Sequence, residues 1–578
     1  MKAASSSGPA PAAPLGGPAE RACLATLILA GALFRAAYFR ALLHWPYHRE
    51  ALIVGDGRVY HDAALRILAG SPWGVPVSWQ DPLYPTFLAL VMKLTGSDLS
   101  GPLLVQHGLG LAAAVLAWVI GRRMAGPVAG LVAAGFVALS PVAVYYEGLL
   151  EKSAPGVFFF ALAAWLLASG IATGSARRAA GAGAALALTA LLRGNTLLVL
   201  PAAALAVAVA RPAPRRGPVV LALAAGVALV FVPAIVRNHA IRGTWSLTAG
   251  QGGANFWDGN NPGNKTGTFW VPRFLRADPQ FEEADWRVEA QRRTGGSLTS
   301  AEVSRFWFRE GLRFWTESPA AAIRNTVRKA LLFVSARELP DTQAFPFFRD
   351  HFAPLRLPLP GMGPIAALSL VGAAISLGVW RARAAELALF AGYAASVVLF
   401  FVLGRYRVIT LALFAAFAGV AVAAMVEFAR RRERTRFAVL VAALALALVP
   451  VWRARGPEQH VFPYLNIALT LHREGRDAEA ERFVLEGLSV NPRDVPSLQL
   501  RGELALARGD TALAEQWLLR AFRLDPSLRP LQLDLVHLRE KQGRPEEALA
   551  LVEILLREDP FDSSVRAEWT RLRAAVGR

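Results

Sequence analysis

Hydrophobic and polar positions in this chain are segregated into long blocks. After about 20 residues of Ala, Ser, Pro and Gly without periodicity, an apolar run extends from Cys23 to Leu43, interrupted by Arg35 and Arg40. Further runs occupy 102–120, 125–143, 154–170, 218–236, 362–380, 384–403, 408–428 and 437–452. Most meet or approach the roughly 20 residues that cross hydrocarbon, so each is a predicted transmembrane helix. The first run is too long for the core of a signal peptide and reads as a retained span behind a flexible tail, 1–20. The apolar stretch 179–210 is broken at Arg193, Gly194 and Asn195, which predicts two short helices meeting at a polar tip. The stretch 83–95 is shorter and predicts a half-inserted or broken helix.

From about 461 the pattern changes to charged amphipathic helices. Three marks recur every 34 residues: Gly475, Gly509, Gly543; Ala480, Ala514, Ala548; and Pro492, Pro526, Pro560. This is the tetratricopeptide period, in which small residues let helix A lie close on helix B and proline ends each unit. The expected organisation is a tail (1–20), a membrane domain (21–455) and a repeat domain (456–578).

Composition agrees with the blocks. Of 578 residues 54% are hydrophobic and 18% charged, against about 25% charged in soluble chains, which excludes an ordinary soluble enzyme and general disorder. One cysteine, Cys23, excludes an internal disulfide or a cysteine-based zinc cluster. The net charge of +19 sits largely in arginine bursts between apolar runs: Arg122-Arg123, Arg177-Arg178, Arg211 to Arg216, Arg381 with Arg383, and Arg430 to Arg436. Nucleic-acid binding is therefore not implied, because bursts between spans follow the positive-inside bias. With the N-terminus inside and 320–335 not crossing, about eleven crossings put every burst on the cytoplasmic side. The segments 44–81, 144–153 and 237–361 then lie outside, as does the repeat domain. Counting 320–335 as a span inverts everything after it.

The outside segments hold the candidate chemistry. The first has Asp56 between Gly55 and Gly57, then Tyr60, and leads through Tyr84 into the next helix. The second has Glu147 and Glu151 one helical turn apart, with Lys152 adjacent. A carboxylate this close to hydrocarbon must be paired, bound to a cation or open to a cavity. Arg193 marks the polar tip, and Arg405 and Arg407 flank Tyr406 at an outside turn. Each arginine either snorkels to lipid phosphates or grips a phosphate bidentately. The third segment contains a stretch rich in Gly, Asn and Trp, with Asn260 and Asn261, suited to approaching a sugar. Its Asn264-Lys265-Thr266 matches a glycosylation acceptor pattern, which is short and common. Arg305, Arg309 and Arg313 among aromatic residues read as a helix at headgroup level.

Taken in order, these pieces resemble the GT-C class of polytopic glycosyltransferases, in the group of dolichyl-phosphate-mannose protein mannosyltransferases and bacterial aminoarabinose transferases. The resemblance rests on Asp56, Tyr60 and Ala64; Pro82-Leu83-Tyr84-Pro85; Tyr146-Glu147 with Glu151; Arg193-Gly194-Asn195; the stretch RNHAIRG with WDGNNP; and Arg405-Tyr406-Arg407. It implies an all-α fold, a polytopic helix bundle followed by a tetratricopeptide α-solenoid. It also implies transfer of a sugar, with inversion, from a polyprenyl-phosphate donor to a protein or glycan hydroxyl outside a bacterial inner (cytoplasmic) membrane. The essential acid falls on Asp56, with Glu147 in support. Arg405, Tyr406, Arg407, Arg193, Tyr60, Tyr84, Lys152, Asn260 and Asn261 fall to substrate or lipid-phosphate binding. The cofactor is left open; if a divalent cation such as Mg or Mn is used, Asp56 and Glu147 are its ligands. Membrane lipids and, through the repeats, a protein are the further expected partners. The aminoarabinose branch has Lys-Pro-Pro where this chain has Asp81-Pro82-Leu83, so that branch's sugar and phosphate-binding lysine are not carried over. A flippase for a lipid-linked intermediate, or an inert anchor for the repeats, are the competing classes. The first is disfavoured by the lack of an inverted repeat.

Overall fold

The structure, a computed structural model, describes residues 16–71, 83–211, 214–242, 245, 247, 250–272, 274–275, 279–456, 461–558 and 563–577. Every regular element among them is helical. Internal contacts divide the chain into two units, Met1–His48 with Gly55–Glu458 and Arg49–Val54 with Gln459–Arg578.

The first unit is an all-α polytopic bundle. Six described helices are long and apolar enough to cross a membrane: Pro18–Leu43, Ser100–Ala138, Ser153–Thr173, Arg216–Ile241, Gly404–Arg430 and Arg434–Arg453. Leu83–Thr95, Gly194–Val209, Met362–Leu377 and Ala384–Leu399 are shorter apolar helices. Helices this rich in Ala and Gly associate by close backbone approach. A Cβ on Gly372 would lie 1.8 Å from the Phe417 carbonyl oxygen, and one on Gly183 would lie 2.0 Å from that of Leu223.

The helix Ser100–Ala138 is two arms. Helical geometry breaks at Ala125 and Gly126, the latter at φ 81°, just before Pro127. The arms fold back on one another, since a Cβ on Gly121 would meet the Ala129 carbonyl at 2.7 Å. The arms thus answer to the expected spans 102–120 and 125–143, with Arg122 and Arg123 at the bend. There Arg122 pairs with Glu20 at 2.9 Å and Arg123 with Glu386 at 3.0 Å, while Arg383 donates to the Met124 carbonyl at 2.6 Å. The 179–210 region is Ala176–Leu192, a 3-10 turn at Gly194–Leu198, and Val199–Val209, with Arg193 extended between them.

Between Arg242 and Met362 the chain forms a helical subdomain around Trp257, Phe274, Trp286 and Trp307. The helix Pro319–Phe333, the ambiguous stretch of the sequence, is not among the six. Ile323, Val327 and Leu331 are exposed on one side. Lys329 on the other donates to the carbonyls of Phe400 at 2.8 Å and Gly259 at 3.1 Å, tying two helix C-termini together. Burial pushes the Lys329 ammonium down to about 8, against the pull of Asp258.

The C-terminal unit includes helices Phe462–Arg473, Asp477–Val490, Val495–Ala507, Thr511–Leu524, Arg529–Lys541, Pro545–Glu558 and Ser563–Val576. The 34-residue period is a helical hairpin. Gly475, Gly509 and Gly543 make the turns at φ 75°, 82° and 74°, and Ala480, Ala514 and Ala548 are fully buried between helices. The expected unit-ending proline Pro560 lies outside the described residues, as do Asp81 and Pro82 of the first loop.

Candidate active site

Asp56 sits in the first turn of the helix Gly55–Leu68. Gly55 is left-handed, φ 51°, and a Cβ there would fall 2.3 Å from the Thr342 methyl. Only glycine relieves both constraints. Arg405 lies in the single turn Gly404–Arg407, after an extended Leu403, with the Gly404 amide donating to the Leu339 carbonyl at 3.1 Å. Glu151 and Lys152 immediately precede the helix Ser153–Thr173. Three segments far apart in sequence therefore converge.

Arg405 is the centre of the convergence. Its Nη1 donates to Asp56 Oδ2 and to Glu151 Oε1, each at 2.6 Å. Its Nε approaches Asp341 Oδ2 at 2.7 Å. Arg193 donates from Nη2 to the other oxygen of Glu151 at 3.1 Å and lies over the Tyr406 ring at 4.5 Å. Lys152 sits 5.0 Å from the centre of the Tyr60 ring, which meets the Tyr84 ring edge to face at 5.1 Å. Tyr84 donates to Gln106, whose amide donates to the carbonyls of Glu147 and Leu149, all at 2.7–2.8 Å. The Tyr60–Tyr84 pair is thus fixed against the backbone of the loop that carries Glu151 and Lys152.

The two aspartates on Arg405 are pushed in opposite directions. Burial raises Asp56, but Arg405, Lys152 and Arg193 outweigh it and hold the carboxyl below its ordinary value. Burial raises Asp341 too; Arg405 opposes it, yet Asp56 and Glu151 add to it, and the carboxyl ends above its ordinary value.

Several sequence expectations need correction. Glu147 does not join Asp56: it forms a bidentate pair with Arg35, both bonds 2.7 Å, and accepts from His107 Nδ1 at 2.9 Å, all three buried. The physical reason is helical phase. Glu147 ends the short helix Pro141–Glu147 and turns into the bundle, whereas Glu151 lies past Gly148 in a non-helical turn. The expected joint metal ligands are thereby separated, and no group of three or more His, Cys, Asp and Glu among the described residues is disposed to hold a metal ion. Arg407 does not line the cluster with Arg405. It is fully buried and donates to the carbonyls of Ser335 and Arg337 at 2.5 and 2.6 Å and to Glu338 at 2.7 Å. Asn260 and Asn261 are buried, with their amides bonded to backbone carbonyls of Phe256, Leu399, Trp257 and Asp258. Asn264 is likewise buried, its amide donating to Asp258 and Thr268, so the acceptor pattern there is a folded turn. Trp257 and Phe269 of this loop pack against the aromatic core of the subdomain.

Asp341 was missed because the stretch around it, ELPDTQAF, carries no periodic or motif signal. Only the ion pair with Arg405 reveals it.

Residues 76–236 match the family model of dolichyl-phosphate-mannose-protein mannosyltransferase. Among solved structures, the archaeal oligosaccharyltransferase AglB from Archaeoglobus fulgidus, in complex with an inhibitory peptide and a dolichol-phosphate, aligns at 14% identity and a TM-score of 0.41. The alignment covers 79% of this chain and 58% of that one. The apo form of the oligosaccharyltransferase from the same organism aligns at 13% identity and a TM-score of 0.44, with the same coverage. The chain thus spans less than two thirds of the structures it aligns with. No curated protein matches it. The family match includes Tyr84, Glu151, Lys152 and Arg193 and leaves Asp56, Asp341 and Arg405 outside it, so it is over 76–236 that this polytopic chain is similar to the GT-C mannosyltransferase class.

Proposed function

We propose that the chain transfers a sugar from a polyprenyl-phosphate donor to a hydroxyl acceptor, with inversion, on the extracytoplasmic side of a bacterial inner membrane. The observation that carries this reading is the part-buried contact of Asp56 with Arg405 at 2.6 Å, inside a group holding Glu151, Arg193 and Lys152. An ionised acid and several fixed cations stand side by side, which is what transfer from a phosphate leaving group requires.

In this mechanism Asp56 takes the proton of the acceptor hydroxyl as its oxygen bonds to the anomeric carbon. The bond from that carbon to the phosphate oxygen breaks on the opposite face, giving inversion. The released polyprenyl phosphate gains negative charge, and Arg405, with Arg193 and Lys152 behind it, answers that charge. Lys152 and Arg193 keep the expected phosphate role without Arg407, and Glu151 takes the place of Glu147 as the second acid, acting by orienting Arg405. Tyr60 and Tyr84 supply the aromatic wall beside Lys152. A flippase would place its charged groups at mid-span, whereas this cluster lies at helix ends and in the segments between helices. The acceptor is a protein or glycan hydroxyl, and the repeat-like unit is a candidate for presenting it.

The test is the transfer rate of Asp56→Asn in nanodiscs, with donor binding and thermal stability measured alongside. Loss of a general base lowers rate about 10²–10⁴-fold in a variant that still folds and binds donor. Near-normal transfer would sink the assignment.

A further inference from the structure

Asp341 holds a place on Arg405 that differs from the places of the other two acids. Asp56 and Glu151 both accept aligned hydrogen bonds from Nη1. Asp341 approaches Nε at 2.7 Å, but neither Asp341 Oδ2 nor Arg405 Nε makes a hydrogen bond. Nε belongs to the side edge of the guanidinium, the edge that grips a phosphate with two parallel bonds. Asp341 therefore covers that edge with charge while leaving its directional bonding unused.

The segment carrying Asp341 has a fixed stem and a short tip. The stem is held by Arg407 on Ser335, Arg337 and Glu338, and by the Gly404 amide on Leu339. The helix Phe345–His351 begins on the other side. Between them, at 340–343, Asp341 donates its amide to the Gln343 carbonyl at 3.1 Å, and Thr342 rests against Gly55.

Charge points the same way. The cluster brings together three carboxylates, Asp56, Glu151 and Asp341, and three cations, Arg405, Arg193 and Lys152. A sugar-carrying polyprenyl phosphate is a phosphodiester with one negative charge. Its arrival beside three carboxylates leaves an excess negative charge in a part-buried cluster, which is costly. Departure of one carboxylate, or its neutralisation, restores the balance. Asp341 is the one whose ionised form the pocket tolerates least, raised by burial and by Asp56 and Glu151 against the pull of Arg405.

We propose that Asp341 is a resident stand-in for the donor phosphate, covering the side edge of Arg405 until the polyprenyl phosphate displaces it and moves the 340–343 tip. The inference rests on the glycosyltransferase reading, since it takes its ligand from it. Asp341 is a gate on donor binding and a positioning residue for Arg405; it transfers no proton in the reaction.

The experiment uses the full chain in nanodiscs and a polyprenyl monophosphate as probe, with Asp341→Asn and Asp341→Ala beside the wild type. If Asp341 leaves the seat free in about one molecule in ten, removing its charge tightens apparent binding about tenfold. Both variants binding with unchanged or weaker affinity overturns the inference. Because a variant can lose stability, a second measurement uses Thr342→Cys in a Cys23→Ser background. Its reaction with a maleimide should accelerate when the probe saturates the protein, and an unchanged rate also overturns the inference. If the wild type does not bind the probe at all, the glycosyltransferase reading falls and this inference with it; if it binds and neither effect is seen, only this inference falls.

Discussion

Replacing Glu147 by Gln separates a structural acid from a reactive one. The substitution keeps the shape of the side chain and removes its charge. In the native protein Glu147 meets Arg35 through two 2.7 Å bonds and His107 through one of 2.9 Å, and the Arg35 and Glu147 side chains are only 2% and 3% exposed. Arg35 is further held by the Ala138 carbonyl at 2.5 Å, so it cannot swing to water when its partner is lost. Breaking a buried pair by removing one partner costs about 3–5 kcal/mol, because the other charge stays behind. At about 2–4 °C per kcal/mol for chains of 150–250 residues, the apparent Tm falls by roughly 6–20 °C, toward the lower end for this larger chain. Gly110→Ala is a second route to the same pair, since its new Cβ would lie 1.9 Å from Glu147 Oε1, and it should destabilise in the same direction. The assay is thermal denaturation of purified protein, with transfer measured per folded molecule at a temperature where both variants are intact. Unchanged Tm together with a hundredfold or greater loss of transfer would refute the reasoning and return Glu147 to the reacting centre.

Three further outcomes are expected. Arg405→Lys retains charge but loses the planar fork, so affinity for polyprenyl phosphate should fall by about tenfold or more with the fold retained; unchanged affinity removes Arg405 from the phosphate site. Gly55→Ala forces a Cβ into a left-handed backbone position and onto Thr342, costing about 1–2 kcal/mol for the backbone alone, and should lower transfer by moving Asp56; wild-type transfer and Tm would show that this turn is not required. With pH, Asp56 and Asp341 act in opposite senses. For Asp56, burial is outweighed by Arg405, Lys152 and Arg193 and its folded value is lowered, so its stabilising contribution is present above the unfolded value of about 3.9 and is lost as pH falls through the folded one. For Asp341, burial with Asp56 and Glu151 outweighs Arg405 and the folded value is raised, so its contribution is full below the unfolded value and is lost as pH rises through the folded one. The acid limb of kcat/KM should therefore lie below about pH 4. A limb near neutrality that disappears in Asp56→Asn contradicts the assignment of the base.

The bundle was legible in sequence because hydrocarbon imposes a length. Runs of Ala, Leu and Val near 20 residues carry that constraint locally, and the break at Arg193-Gly194-Asn195 marks a place where a continuous helix would bury charge. The bend after Arg122-Arg123 was legible for the same reason, with Gly126 and Pro127 completing a turn that neither a strand nor a straight helix accommodates. The glycine at 34-residue intervals was legible because a left-handed turn between two helices admits few other residues. The helix Pro319–Phe333 was not. Its apolar stripe Ile323, Val327, Leu331 and its inward Lys329 are interleaved, so a window average reads it as a poor span, while only its contacts show two distinct faces.

The site was legible in part, and the division follows from how each residue gets its partner. Asp56, Arg193 and Arg405 stand at breaks in the apolar pattern, where a charged group next to a span needs a reason, so the sequence marks them without naming their partners. The choice between Glu147 and Glu151 could not be made that way. The two acids are four apart, which on a continuous helix puts them on one face, but the helix ends at Gly148, and the turn that follows sends one acid to Arg35 and the other to Arg405. Long-range pairing then decides everything else. Arg407 is two residues from Arg405, yet the single turn Gly404–Arg407 aims it at the stem below the 340–343 tip while Arg405 meets the acid on that tip. One arginine of this pair holds the segment and the other faces the group it carries. That coupling fixes the stem of the segment 334–344, and in the proposed mechanism it makes the phosphate contact of Arg405 depend on a loop residue that no sequence pattern distinguishes.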